Sequence, residues 1–248
     1  METSTTSTTT STSSTDSTST STTTTSTIVA SPQKFKYLVI LDFEATCEQD
    51  VRIKNQEIIE FPSVLINTQT LETISQFREY VRPVCNPILS KFCTELTGIT
   101  NEQTDKAETF PTVLKNHYTW LRQCLPEDAI SEDKIDVEKV CFVTCGDWDL
   151  NIMLPGQLKI AGQIPFPYYF KQWINIKKQY QAHYNARVTG MTGMLHHLRI
   201  ELEGRHHCGL SDCLNITKIC KRMITDKCNF DLLSFKPEKQ PKTPYVKK

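Results

Sequence analysis

Apolar residues are almost absent from the first part of the chain and then arrive in distinct rhythms. Residues 1–27 are nearly all Ser and Thr, with no apolar periodicity. Such a segment cannot bury enough surface to offset the entropy of ordering it, so a disordered tail is expected over 1–33. From residue 35 the pattern changes to runs that suit strands, over 35–42, 57–67 and 73–82, and the short links between them suggest an antiparallel meander. Pro62 interrupts the second run and demands a bulge or an unpaired position there. "SKFCTELTGIT" reads as a short helix and turn with Gly98 as its cap.

Phe110, Val113, Leu114, His117, Leu121 and Cys124 recur at helical spacing, with Thr109 as N-cap and Pro111 in the first turn. On that face His117 is expected to be a packed histidine rather than a ligand. Residues 126–138 read as a polar loop, "KVCFVTC" as a second buried strand, 149–160 and 189–200 as helices, and 168–184 as a mixed aromatic segment. A last helix over 212–226 would bury Ile216, Ile219, Cys220, Met223 and Ile224. After Phe235 the Pro- and Lys-rich stretch 236–248 is expected to be a mobile tail. Three strands, a helix, a strand and then helices describe an α/β sandwich with a mixed sheet. In such folds chemistry collects at the carboxyl ends of central strands.

Charge narrows the function classes. Lys+Arg and Asp+Glu are both 28, a formal net charge of zero. Bulk attraction to nucleic acid is therefore excluded, and any such contact must be local. The ten cysteines sit mostly inside apolar patterns, and no apolar stretch resembles a secretory signal or a bilayer span. Reduced thiols, an intracellular location (cytoplasm or nucleus) and no membrane partner are the expectations.

The candidate chemistry is acidic. In "YLVILDFEATC" an apolar strand ends in Asp42 and Glu44, whose i, i+2 spacing aims both carboxylates to one side of an extended chain. "CFVTC" repeats the feature, with Asp147 and Asp149 just beyond its end. Asp212 opens the last helix, where the helix dipole favours an anion. Three segments thus offer Asp42, Glu44, Asp149 and Asp212 to one spot, where unscreened repulsion would raise their pKa values. Hard oxygen donors suit Mg²⁺ or Mn²⁺, and two such ions about 3.5–4 Å apart serve in-line displacement at phosphorus. Asp42 could bridge both ions while Glu44 completes one. His207, five residues before Asp212, could take a proton from the attacking water. A zinc site built from His206, His207, Cys208 and Cys213 is the weaker reading, because the sequence has no CxxC here and no second matching pair, and Cys213 would fall inside the last helix's first turn.

The motifs "ILDFEATCE", "EIIEFP", "FCTELTGI", "VTCGDWDL", "QWINIKKQY" and "HCGLSDCLNI" resemble those of the Eri-type 3′–5′ exoribonucleases of the DEDDh group. The likeness runs from Tyr37 to Cys228, and "VTCGDWDLNIMLPGQ" with "YYFKQWINIKKQY" is most like the SAP-lacking exoribonuclease 3 branch. It implies a ribonuclease H-like three-layer α/β/α fold with a mixed five-stranded sheet over 34–235. It also implies two Mg²⁺ ions, with Mn²⁺ able to substitute, and release of nucleoside monophosphates from RNA 3′ ends, single-stranded ones above all. By motif position Asp42 and Glu44 match the first acidic pair. Asp149 rather than Asp147 matches the second motif, because it follows Trp148. His207 and Asp212 match the third motif's base and ligand. Glu44, Ala45, Leu96, Thr97 and His207 match positions beside the terminal nucleotide. His206 stands where relatives commonly carry Pro and takes no role from the resemblance; because adjacent side chains cannot both face the metals, it is expected to turn away from the carboxylates. Relatives that act on stem-loops carry a SAP domain upstream, where this sequence has the Ser/Thr tract, so stem-loop specificity is not implied. Two readings compete with the exoribonuclease: a non-catalytic RNA-binding adaptor on the same fold, and a DNA 3′–5′ exonuclease. An adaptor would usually lack one of the five site residues, and this sequence has them all.

Overall fold

The computed structural model describes residues 32–235. The expectations for residues 1–27 and for the segment after Phe235 lie outside them. The chain runs through β1 (Tyr37–Leu41), β2 (Glu44–Ala45), β3 (Ile58–Asn67), β4 (Thr73–Tyr80), α1 (Lys91–Thr97), α2 (Asn101–Asp105) and α3 (Phe110–Cys124). A two-stranded hairpin, β5 (Ile130–Ser131) and β6 (Lys134–Ile135), lies within the segment read as a polar loop. Then come β7 (Val140–Thr144), a π-helical turn over Asp149–Met153, α4 (Leu154–Ile160), β8 (Gln172–Asn175), α5 (Ile176–Tyr184), α6 (Met191–Leu198), α7 (Gly209–Thr225) and β9 (Leu233–Phe235).

The first strands form the expected meander: β1 pairs antiparallel with β3, and β3 with β4. β1 also pairs parallel with β7, and β7 parallel with β8, so the sheet is mixed. It has seven strands rather than five. β2 is a two-residue continuation of β1 along β3, and β8 lies hidden in the aromatic segment. β9 is three residues that exist as a strand only by pairing with β8. β1 and β7 are buried along their whole length, as strands covered on both faces must be. Alternate residues enter two cores. Tyr37, Val39, Leu41, Val140 and Phe142 pack with α3 and α4, whereas Leu38, Ile40, Cys141 and Val143 pack with α5, α6 and α7. That is the three-layer α/β/α arrangement.

Pro62 sits inside β3, which is paired on both sides. The β1–β3 register pairs Leu41 with Ser63, and the β2–β3 register pairs Glu44 with Glu60. Continued between them, the register sets Pro62 opposite Asp42, in the break between β1 and β2, where a ladder bond is dispensable. His117 is buried, within 3.0 Å of the Ser63 hydroxyl and stacked on Phe61 with ring centroids 4.3 Å apart. Burial lowers its pKa to about 3, so it is a neutral core group. All ten cysteines are free. Among the described residues no helix is long and apolar enough to cross a membrane.

Candidate active site

β1 and β7 are parallel neighbours, so their carboxyl ends open at the same edge of the sheet. Beyond β1 the chain carries Asp42, Phe43 and Glu44, and beyond β7 it carries Asp147 and Asp149. The Phe43 backbone N–H donates to Asp149 Oδ1 at 2.9 Å. Asp149 is buried at the start of the π-helical turn. Asp147 turns the other way: it accepts from Trp173 Nε1 at 3.0 Å and pairs with Lys178 at 2.7 Å. The pairing register shifts between Glu44 and Ala45, a bulge of the kind that re-aims side chains beside functional sites.

The third segment arrives through α7. The helix begins at Gly209, three residues before the expected start, and Asp212 lies inside its first turn rather than opening it. A Cβ on Gly209 would lie 2.9 Å from the Asp42 carbonyl oxygen and 2.8 Å from Pro62 Cγ, so only glycine lets the helix come this close to β1 and β3. Glu60, fully buried in β3, accepts the Gly209 and Leu210 N–H groups at 3.2 Å each and pairs with Arg78 at 2.8 Å. It anchors the helix end that carries Asp212. Sequence reasoning missed Glu60, although a carboxylate inside the apolar run "IIEFP" was a visible anomaly.

Carboxylate oxygens of Asp42, Glu44 and Asp212 lie within 4.8 Å of one another. Asp212 Oδ2 accepts the His207 N–H at 2.9 Å, while Asp212 Oδ1 is buried with no hydrogen-bond partner. Burial first, then the Asp149, Glu44 and Asp212 charges, push the Asp42 carboxyl well above the usual range. Burial, then Glu60 and Asp212, raise Glu44 to about 9. Burial raises Asp149 and Asp212 to about 6 each. A cluster of acids this crowded holds its charges only with positive charge among them.

His207 has φ of +64°, a left-handed backbone unusual for a side chain of this size. That turn overrides the rule that adjacent side chains diverge. The His206 and His207 rings stack with centroids 3.9 Å apart, and His206 Nε2 is 3.9 Å from Asp212 Oδ2. The expectation that His206 faces away from the carboxylates is thus corrected. The zinc set does not gather: Cys213 is buried in the core and Cys208 Sγ lies 3.6 Å from an Arg78 nitrogen. Asp42, Glu44, Asp149, His206, His207 and Asp212 line one cleft of about 400 Å³ with Trp148 and Lys177. Ala45, Leu96 and Thr97 do not line it. Ala45 is buried in β2, and the Thr97 hydroxyl bonds within its own turn, to the Cys93 carbonyl and the Ile99 N–H. Leu96 is tied to the histidine loop by Arg205, whose guanidinium donates to the Glu95 and Leu96 carbonyls.

A three-layer sandwich with acids at the carboxyl ends of its central strands is the architecture of the ribonuclease H-like exonucleases. The Exonuclease family model (RNase_T) matches residues 39–220, and the chain belongs to this family. Membership implies dependence on a divalent metal. Among curated proteins, Homo sapiens 3′-5′ exoribonuclease 1 is 43% identical over 197 residues, which cover 78% of this chain and 54% of that protein. Homo sapiens ERI1 exoribonuclease 3 is 42% identical over 193 residues, 77% of this chain and 55% of that protein. Danio rerio ERI1 exoribonuclease 2 is 39% identical over 214 residues, 84% of this chain and 38% of that protein. The chain spans about half the length of these relatives or less, and their identities do not separate the branches. Of solved structures, the nuclease domain of 3′hExo, a DEDDh family member bound to rAMP, superposes with a TM-score of 0.74 at 41% identity, covering 82% of this chain and 98% of that one. A 3′-exonuclease in 3′-end specific recognition of the histone mRNA stem-loop gives 0.75 at 37% identity, covering 84% and 73%.

Proposed function

We propose that the protein is a metal-dependent 3′–5′ exoribonuclease that releases nucleoside 5′-monophosphates from RNA. The observation that carries this reading is the convergence of the Asp42, Glu44 and Asp212 oxygens within 4.8 Å, with Asp149 bonded to the residue between the first two. The likeness at 41% identity to a nuclease domain bound to rAMP supports it.

The residues fit a pair of hard cations. The donors are all carboxylate oxygens, and the orphaned Asp212 Oδ1 is a buried acceptor awaiting a positive partner. Asp42, Glu44, Asp149 and Asp212 would hold two Mg²⁺, with Mn²⁺ able to substitute. When bound, such ions ease deprotonation of water and offset the negative charge that grows on the phosphoryl oxygens. His207 accepts the proton of the attacking water on its imidazole. Burial, then the neighbouring His206 and Arg205, keep its pKa below the ordinary histidine value, so the ring is neutral and ready to accept near pH 7. Glu44 and His207 flank the scissile phosphate. Of the three carried-over positions, Leu96, joined to the histidine loop through Arg205, is assigned to the terminal nucleotide as an outer contact, whereas the buried Ala45 and Thr97 take no direct contact.

The test is incubation of the full chain with 3′- and 5′-labelled RNA and DNA, with and without Mg²⁺. The proposal expects labelled mononucleotide as the first product from 3′-labelled RNA, a progressive ladder from 5′-labelled RNA, and no cleavage in chelator. Equal degradation of DNA would favour a general 3′–5′ exonuclease. RNA binding without cleavage would favour an adaptor.

A further inference from the structure

A second cavity, about 840 Å³, is larger than the catalytic cleft and shares no lining residue with it. Its walls are the loop after β2 and the outer side of the π-helical turn and α4. The same two segments carry the catalytic carboxylates: Cys47 in the cavity wall is three residues beyond Glu44, a span of about 10 Å in extended chain. Ile152, also in the wall, lies one turn beyond Trp148 of the catalytic cleft. The cavity carries three exposed cations, Arg52, Lys54 and Lys159, against one acid, Glu48. Among the described residues none of the three has an ion-pair partner. Exposed apolar groups stand between them, Val51 at 61% and Ile152 at 58% of full exposure.

This wall is braced. The buried Glu57 carboxylate accepts the N–H groups of Val84, Cys85 and Asn86 at 2.7, 2.8 and 2.7 Å. Asn86 Nδ2 in turn donates to the Asn55 and Lys54 carbonyls at 2.8 and 3.3 Å. A chain of alternating phosphates and flat apolar faces matches such a surface: the unpaired cations meet the backbone, and the aliphatic side chains of Val51 and Ile152 offer van der Waals contact to the bases.

We propose that this cavity binds the single-stranded RNA immediately upstream of the scissile phosphate; the inference rests on the exoribonuclease reading and adds a substrate subsite to it. The test uses the full chain carrying Asp42→Asn, so that RNA survives, and follows anisotropy of fluorescein-labelled RNA octamer over a salt series. Two further changes are made in that background. One is Arg52→Ala with Lys54→Ala and Lys159→Ala. The other is Gly156→Glu, at a helical cavity-wall glycine where an added Cβ meets nothing within 4 Å, so the fold tolerates it. The expected result is octamer binding weakened about tenfold or more by each. The triple change should also make the log K against log salt slope shallower by about 2, since each lost single-strand phosphate contact contributes about 0.7. In the Asp42-intact protein with Mg²⁺, AMP binding should stay unchanged by the same substitutions. If the parent binds the octamer and both variants match it, the subsite is wrong and the exoribonuclease reading stands. If the parent binds no RNA, both fall. Displacement of the octamer by an acidic octapeptide at equal concentration would also overturn the assignment.

Discussion

Asp149 Oδ1 accepts the backbone N–H of Phe43, a residue 106 positions earlier, at 2.9 Å. This one bond locks the end of β7 to the end of β1 and sets Asp149 beside the Asp42–Glu44 pair. Asp149→Asn keeps an oxygen for the Phe43 N–H but removes the charge. The rate should fall by three orders of magnitude or so, on the several-kcal/mol scale of a lost metal contribution, with little change in melting temperature. Asp147→Asn should lose far less, because its partners Trp173 and Lys178 lie away from the cleft. Single-turnover rates of the two variants on one short RNA decide between them.

The acid cluster makes metal-free stability depend on pH in a particular direction. Glu44 near 9 and Asp149 and Asp212 near 6 in the folded chain compare with about 4 in the unfolded chain. A raised carboxyl pKa means the folded state binds more protons, so this contribution is full below pH 4 and is lost as pH rises through 6 and then 9. Melting in chelator should therefore show a temperature that falls between pH 5 and pH 9, with a shallower slope in Asp42→Asn. Added Mg²⁺ should raise the melting temperature more at pH 8 than at pH 5. A metal-free profile identical in wild type and Asp42→Asn would contradict the crowding.

Glu60 acts at one remove, through the helix that delivers Asp212. Glu60→Ala leaves the buried Gly209 N–H, the Leu210 N–H and the Arg78 guanidinium without this acceptor, at a cost of about 1–3 kcal/mol. Activity should drop with it, and the loss should exceed what the unfolded fraction explains. Glu60→Gln, which retains an acceptor, should recover part of the stability. Denaturant titration and initial rates on the same samples separate the two effects.

His207→Ala should cost about 10²–10⁴ in rate, the usual scale for a general base, while leaving Mn²⁺ binding intact because no carboxylate is removed. His206→Ala should cost less but not nothing, since its ring packs on that of His207. Comparing the pH–rate profiles of the two variants tests the order. A crippled His206→Ala beside an unaffected His207→Ala would reverse the assignment.

Much of this was legible in the sequence, and the rest was hidden for physical reasons. The apolar runs at 37–41 and 140–144 announced buried strands, and each ended in acids because the strand ends meet at one edge. β8 escaped notice because "QWIN" offers four residues without alternation, and β9 because three residues become a strand only against β8. The start of α7 is hidden in the sequence because glycine is a poor helix former. Gly209 is there for the contact with Asp42 and Pro62, which no local pattern reveals. The place of His206 is hidden too, because the left-handed turn at His207 breaks the alternation by which adjacent side chains diverge.

The central claim is that these carboxylates form one divalent-metal site that hydrolyses RNA from its 3′ end. Its most direct test is Mn²⁺ binding measured by titration calorimetry in the presence of AMP, paired with mononucleotide release from 3′-labelled RNA in the same Mn²⁺ series. The account predicts two Mn²⁺ per chain and a rate that rises with their occupancy. In Asp42→Asn both the binding and the release should disappear. Undiminished release of mononucleotide by Asp42→Asn, or by the wild-type protein in excess chelator, would contradict it.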